Sequence, residues 1–210
     1  MARYFDLFPK VYNTQNNVTR IVTDILSRVS EIDTYKDNTL VYYSYDVQDG
    51  DTPESVADRY YDDPEKHWII LYTNDMIDPF FDWPLTTQQF NSYIEDKYAA
   101  LGANTSQTGT AYAQSTIQEY YKTVRTVDGD TGNTTTRTYV VDHTTYLSII
   151  PSSTTLALPT GTTISEYVDK SFISIYDYEV AANEAKRSIK LLNKDYAAQI
   201  FNELKSLMSK

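Results

Sequence analysis

The side chains able to do chemistry are few and scattered. The chain has two histidines, His67 and His143, and no cysteine, so a thiolate nucleophile and a sulfur-ligated metal site are excluded at the outset. The histidines lie far apart, one in an expected short helix and one in an expected strand, and neither sits in an H-E-x-x-H pattern, so both read as structural residues. Asp128-Gly129-Asp130-Thr131-Gly132-Asn133 starts like a calcium loop. Its glycine comes too early, however, and Tyr139 stands at the twelfth position, where a bidentate glutamate is needed, so a hairpin tip is the stronger reading. With 6 glycines and no GxGxxG or G-x-S-x-G run, the chain is poorly equipped to cradle phosphate. Carboxylates are plentiful, yet no pair is marked by an apolar surround that would raise a general acid's pKa. No catalytic, cofactor-binding or metal-ligating residue is assigned, and no cofactor is expected.

Bulk properties narrow the partners. A net charge of -11 opposes phosphate backbones and anionic membrane surfaces, so neither nucleic acid nor membrane is an expected partner. The start, MARYFDLFPK, puts Asp6 and Pro9 where a secretory signal needs an apolar run, and no later run approaches the ~18 apolar residues of a membrane span. The chain reads as made and kept in a cytoplasm. Tyrosine, at 20 of 210 residues, is unusually common and suits protein interfaces, being apolar in its body and polar at its tip.

The elements that would position any site centre on residues 45–85. Val41, Tyr43, Tyr45 and Val47 alternate with polar neighbours, as in a half-buried strand. Asp49-Gly50-Asp51 is a turn, and Thr52-Pro53-Glu54 provides an N-cap, a first-turn proline and an acid at the helix's positive end. Asp63-Pro64-Glu65 repeats that grammar before a short helix with Trp68, Ile69, Leu71 and Tyr72 on one face and Asn74 at its end. Residues 77–85 place Phe80, Phe81 and Trp83 between prolines, which is expected to forbid regular helix and to make the stretch pack sideways. Thr86-Thr87-Gln88-Gln89 is a capping box for a helix carrying Phe90, Tyr93, Ile94 and Tyr98, ending by Gly102.

Four segments follow: an N-terminal arm and helix (1–40), the strand-helix-helix module with its following helix (41–101), a polar loop (102–116) and a β-rich region with a terminal helix (117–210). The arm, residues 1–17, has no sustained period but carries Tyr4, Phe5, Phe8 and Tyr12. Val18, Ile21, Val22, Ile25, Val29 and Ile32 then predict a helix around residues 23–30. Residues 117–127 and 136–150 predict the arms of a β-hairpin. Residues 172–178 fit a strand or the lead-in to a helix, and 187–192 stay open between the two. Asn193 caps an expected terminal helix with Ala197, Ile200, Phe201, Leu204, Leu207 and Met208 as its stripe. The fold class is α+β.

Tyr45-Asp46-Val47, Gly50-Asp51-Thr52, Ser55-Val56-Ala57, Tyr60 and Asn74 together resemble the LysM motif, a strand, a G-D-T turn, two helices and a closing strand. Here the closing strand looks replaced by residues 78–85. The Tyr4-Phe5-Asp6 arm, Asp51-Thr52-Pro53-Glu54, Asp63-Pro64 with His67-Trp68, and Asn74 followed by Ile77-Asp78-Pro79-Phe80-Phe81-Asp82-Trp83 are similar to the baseplate wedge protein 53 family of T-even-type contractile-tail phages. Tyr176-Asp177-Tyr178-Glu179 and Asn183-Glu184-Ala185-Lys186-Arg187 extend the likeness, while residues 102–161 match nothing.

That resemblance implies a structural virion protein of the tail baseplate, assembled in the host cytoplasm, with other wedge subunits as partners and no enzymatic activity. Tyr4, Phe5, Phe8, Phe80, Phe81 and Trp83 are the expected protein interface. The alternative is a LysM-type module binding peptidoglycan or N-acetylglucosamine polymers through Gly50, Asp51, Thr52, Ile77, Asp78 and Pro79.

Overall fold

The computed structural model describes residues 8–24, 41–159, 161–196 and 199. In chain order its elements are β1 (Lys10–Gln15), β2 (Val18–Thr23), β3 (Tyr42–Asp46), α1 (Pro53–Tyr61), a 3-10 turn (Pro64–Lys66), α2 (His67–Thr73), α3 (Pro79–Asp82), α4 (Thr87–Asn104), α5 (Gly109–Ser115), β4 (Ile117–Asp128), β5 (Thr134–Val141), α6 (His143–Ser148), β6 (Ser152–Ala157), β7 (Thr163–Ser174), α7 (Ile175–Ala185) and β8 (Ser188–Leu192). The fold is mixed α+β. The chain divides into two compact units, one formed by residues 1–86 with 184–210 and the other by 87–183, a different partition from the four consecutive segments expected.

The first unit is built on β3, which pairs antiparallel with β8 from Tyr42↔Leu192 to Asp46↔Ser188. The closing strand of the strand-helix-helix motif therefore exists, but it comes from the far end of the chain rather than from residues 78–85. Of residues 187–192, which fit either periodicity, Ser188–Leu192 are strand, with Ile189 and Leu191 alternating inward past exposed Lys190. Thr52 caps α1 by accepting from Ser55 N at 3.2 Å while Ser55 Oγ accepts from Thr52 N at 2.9 Å, a reciprocal box behind Pro53. Asp63 caps the 3-10 turn through Glu65 N at 3.0 Å. The two helices bury Val56, Ala57, Tyr61, Trp68, Ile69 and Ile70 against Val41, Val47, Ile189, Leu191 and Leu192.

Asn74 locks this core. Its Nδ2 donates to Ile70 O and Lys190 O, and its Oδ1 accepts from Lys190 N, each at 2.8 Å. One amide thereby ends α2 and supplies β8 with a partner on the side away from β3.

The N-terminal segment departs from its expected form. Residues 10–15, expected as part of an extended arm, are β1 of a hairpin, and Val18, Ile21 and Val22 lie in β2 rather than in a helix. Asn16 and Asn17, with φ of 51° and 59°, form a two-residue turn whose left-handed backbone conformation matches the right-handed twist of the flanking strands. Turn chemistry and a β-branched run outweigh a helical spacing that three residues satisfied. The rest of the expected helix, from residue 25, lies outside the described residues.

In the second unit, residues 102–116 are helical rather than a polar loop: α4 runs through Gly102 to Asn104 and α5 begins at Gly109. Its glycines serve close approach. A Cβ on Gly109 would lie 2.2 Å from Glu95 O, and one on Gly102 would lie 2.7 Å from Thr108 O. The Glu95 carboxylate accepts from Gly109 N at 3.0 Å and from Thr110 N and Oγ1 at 2.9 and 2.8 Å, and these bonds, led by those from Thr110, hold it below its ordinary pKa.

A four-stranded antiparallel sheet follows in the order β5-β4-β7-β6. Its first hairpin ends at Val141, so His143 starts α6 instead of lying in a strand, with Asp142 capping Thr145 N at 3.0 Å. Residues 172–178 are both of the forms expected: strand to Ser174, then helix, with Ser174 Oγ accepting from Asp177 N at 3.1 Å. Lys97 donates to Glu179 at 2.6 Å and Tyr98 to the same oxygen at 2.7 Å, which ties α4 to α7. Burial, with the Glu179 hydrogen bond, pushes the Tyr98 phenol up to about 12. Asn193 Oδ1 accepts from Asp195 N at 3.1 Å, as a cap should, whereas the apolar stripe from Ala197 falls outside the described residues.

Candidate protein-docking site

The site grows out of the turn after β3. Gly50 takes a φ of +89°, which lets Asp51 N reach Gln48 O at 3.0 Å. The Asp51 carboxylate folds back into the turn and accepts from Gln48 N at 3.0 Å, Tyr45 Oη at 2.7 Å and Arg59 Nη2 at 2.5 Å. Burial pushes this carboxyl's pKa up, but the hydrogen bonds from Tyr45, Arg59 and Gln48 N, with the guanidinium charge, outweigh it and hold the group below its ordinary range. The Tyr45 phenol is raised by its own burial and then by its bond to Asp51.

Trp83 completes the turn. Its Nε1 donates to Asp51 O at 2.9 Å and its ring, 7% exposed, belongs to the core. This anchor fixes the end of residues 77–83, where the prolines permit more helix than expected. Pro79 occupies the first helical position of α3, where no N–H is needed. Asp78 accepts from Phe80 N at 3.0 Å, and Asp82 Oδ2 accepts from both Ile77 N and Asp78 N at 2.9 Å. Lys186 Nζ donates to Phe81 O at 2.5 Å from the strand side.

The polar groups of this knuckle are thus spent on its own backbone, and the apolar side chains point out. Ile77 is 84% exposed, Phe80 86% and Phe81 69%. The knuckle is thus a contiguous set of large apolar side chains held out by a braced backbone.

The residues expected as an interface separate accordingly. Phe80 and Phe81 are exposed together. Phe8 and Trp83 are corrected to core: Phe8 is 6% exposed among the buried residues of the first unit, and Trp83 braces the knuckle from beneath. Tyr4 and Phe5 lie outside the described residues. Of the six groove residues, Gly50 and Asp51 make the turn, Thr52 caps α1, Asp78 caps α3 and Pro79 starts it, leaving Ile77 to join the two phenylalanines.

The sequence reading missed the hairpin, whose Tyr12 is 78% and Ile21 65% exposed. Asn16-Asn17 between β-branched runs was the signal that could have found it. Among the described residues no cluster of three or more His, Asp or Glu could hold a metal ion, and no helix is long and apolar enough to cross a membrane.

The carboxylates of the turn and the knuckle are committed to hydrogen bonds within the fold, and the knuckle displays braced apolar side chains, an arrangement that suits a structural protein built into a larger assembly. The chain belongs to the base plate wedge protein 53 family, whose model matches residues 4–207. It is a structural virion protein of the phage tail baseplate, with other baseplate components as its partners. No curated protein matches the chain.

Proposed function

We propose that this protein joins neighbouring wedge subunits and that Ile77, Phe80 and Phe81 are a principal contact. One observation carries the reading: three large apolar side chains stand in solvent on a backbone braced by Asp78, Asp82, Trp83 and Lys186. A rigid apolar anchor loses little conformational entropy on docking, so most of its burial appears as affinity. Covering one phenylalanine is worth about 1.5–3 kcal/mol. The reading assigns no chemistry to the protein, in keeping with the structural role of its family.

Co-expression of the full chain with the other wedge subunits of the same phage, followed by isolation of the complex, is the test. Phe80→Ser with Phe81→Ser is expected to weaken wedge incorporation by at least about a hundredfold, given that burial term for two side chains, while urea unfolding of the isolated protein stays unchanged. Undiminished incorporation of that double variant would refute the assignment.

A further inference from the structure

We infer that the β1–β2 hairpin of one copy docks on the Ile77–Phe80–Phe81 knuckle of a second copy, so that neighbouring molecules join head to tail. The inference rests on the reading of the knuckle as a docking surface and names its occupant.

The hairpin is a second exposed apolar surface among the described residues of the first unit. All the residues of β1 are exposed, as are those of β2 apart from half-buried Thr23. Among the described residues nothing buries either face, and a two-stranded hairpin left so is marginal in water. Tyr12 and Ile21 are cross-strand partners and so share one face, where Lys10 pairs with Thr23. Val11, Val22 and Arg20 share the other. Each face presents an apolar centre with a single cation beside it.

Charge selects the partner. From Phe8 to Thr23 the chain has Lys10 and Arg20 and no carboxylate, in a protein whose net charge is -11. The knuckle is the reverse: Asp75, Asp78 and Asp82 are interleaved along the chain with Ile77, Phe80 and Phe81, and Lys186 is held on Phe81 O. A basic-edged apolar hairpin and an acid-edged apolar knuckle are complementary, whereas two hairpins or two knuckles would place like charges together. Because the two patches differ, a docked pair keeps one patch of each kind unused. Such heterologous contacts propagate, into a ring where the rotation between copies closes and into an open filament where it does not. A copy carried by each wedge would then link that wedge to the next.

The experiment uses the purified full-length protein in sedimentation velocity over a range of concentration and salt. Expected are species larger than a monomer that grow with concentration and weaken at least tenfold at high salt. Lys10→Glu with Arg20→Glu should leave a monomer, and so should Phe80→Ser with Phe81→Ser. An equal mixture of the two double variants should restore a dimer and stop there, because the first supplies an intact knuckle and the second an intact hairpin. Matching circular dichroism and urea midpoints would show that both variants fold. A wild-type protein that stays monomeric throughout would overturn the inference, and so would failure of the mixture to complement. If the wild type is monomeric but Phe80→Ser with Phe81→Ser still abolishes wedge incorporation, the knuckle serves another subunit and only the copy-to-copy contact fails. If copies associate as described but incorporation is untouched, it is the broader reading that fails.

Discussion

The first unit contains two antiparallel two-stranded sheets, β1–β2 and β3–β8, of nearly equal length and comparable apolar content. Their ladders are alike, and their surroundings are not. Over β3–β8 lie α1 and α2, with Leu192 wholly buried, Ile189 and Leu191 2% exposed, and Tyr61 Oη donating to Leu192 O at 2.9 Å. Over β1–β2 the described residues place nothing that buries Tyr12 or Ile21. Net backbone hydrogen bonding adds little once water is counted, so cover makes one sheet the centre of a core while the other stands exposed.

Matched truncations test that contrast most forcefully. Leu192→Ala removes a fully buried side chain from β8 and is expected to cost about 2–5 kcal/mol, read as a lower urea midpoint. Ile21→Ala removes a comparable side chain from β2, where it is already mostly hydrated, and should shift the midpoint by less than about 0.5 kcal/mol. Similar losses at the two positions would show that the hairpin is covered in the isolated protein, and the comparison would fail.

How far the sequence revealed this architecture follows the same division. The β3-turn-α1-α2 module was legible because its signals are local: Thr52-Pro53 and Asp63-Pro64 are start signals, Gly50 a turn and Asn74 a stop. Its second strand was not, because Ser188-Ile189-Lys190-Leu191-Leu192 becomes strand by pairing with a segment at the other end of the chain, and pairing over that distance leaves no local mark. Trp83 and Phe8 were misread because aromatics near a chain end or between prolines look alike whether they leave the domain or plug it. Gly102 and Gly109 looked like loop residues, for a glycine chosen for close packing has the same letter as one chosen for freedom. Phe80 and Phe81 were legible as interface candidates by type, while their exposure could be learned only from the fold.

A smaller effect is expected where β8 is held rather than buried. Asn74→Ala leaves Ile70 O without its side-chain donor and both polar groups of Lys190 without their amide partner, at a cost of about 1–3 kcal/mol in thermal or urea unfolding. Asn74→Asp should cost more, because a carboxylate would face two carbonyl oxygens. An effect within error would show that water replaces the amide and that helix cover alone holds the strand.

The turn that feeds the core predicts an acid limb. Asp51 has a folded-state pKa below its ordinary 3.8, so its contribution is fully present above that value and is lost as pH falls through the folded pKa. Glu95, lowered from 4.5, acts in the same direction in the second unit. Urea midpoints should therefore fall as pH drops below about 4.5. Asp51→Asn should begin less stable at neutral pH and show a shallower fall. An unchanged slope would mean that Asp51 keeps its bonds when protonated.

The smallest expected effect sharpens the contrast most finely. Asn17 sits at φ 59° in the hairpin turn, a conformation that asparagine tolerates and glycine adopts freely. Asn17→Gly should therefore stabilise the hairpin by a few tenths of a kcal/mol, enough to slow exchange of its amides by roughly twofold. If the hairpin opens independently of the core, the global urea midpoint will not move, since unfolding of β3–β8 does not wait on a segment that gains nothing from it. Docking should respond, because a hairpin already closed has less order to acquire on binding, and association should tighten by about the same factor. A midpoint that rises instead would tie β1–β2 to the core and make it part of the folded unit rather than its arm.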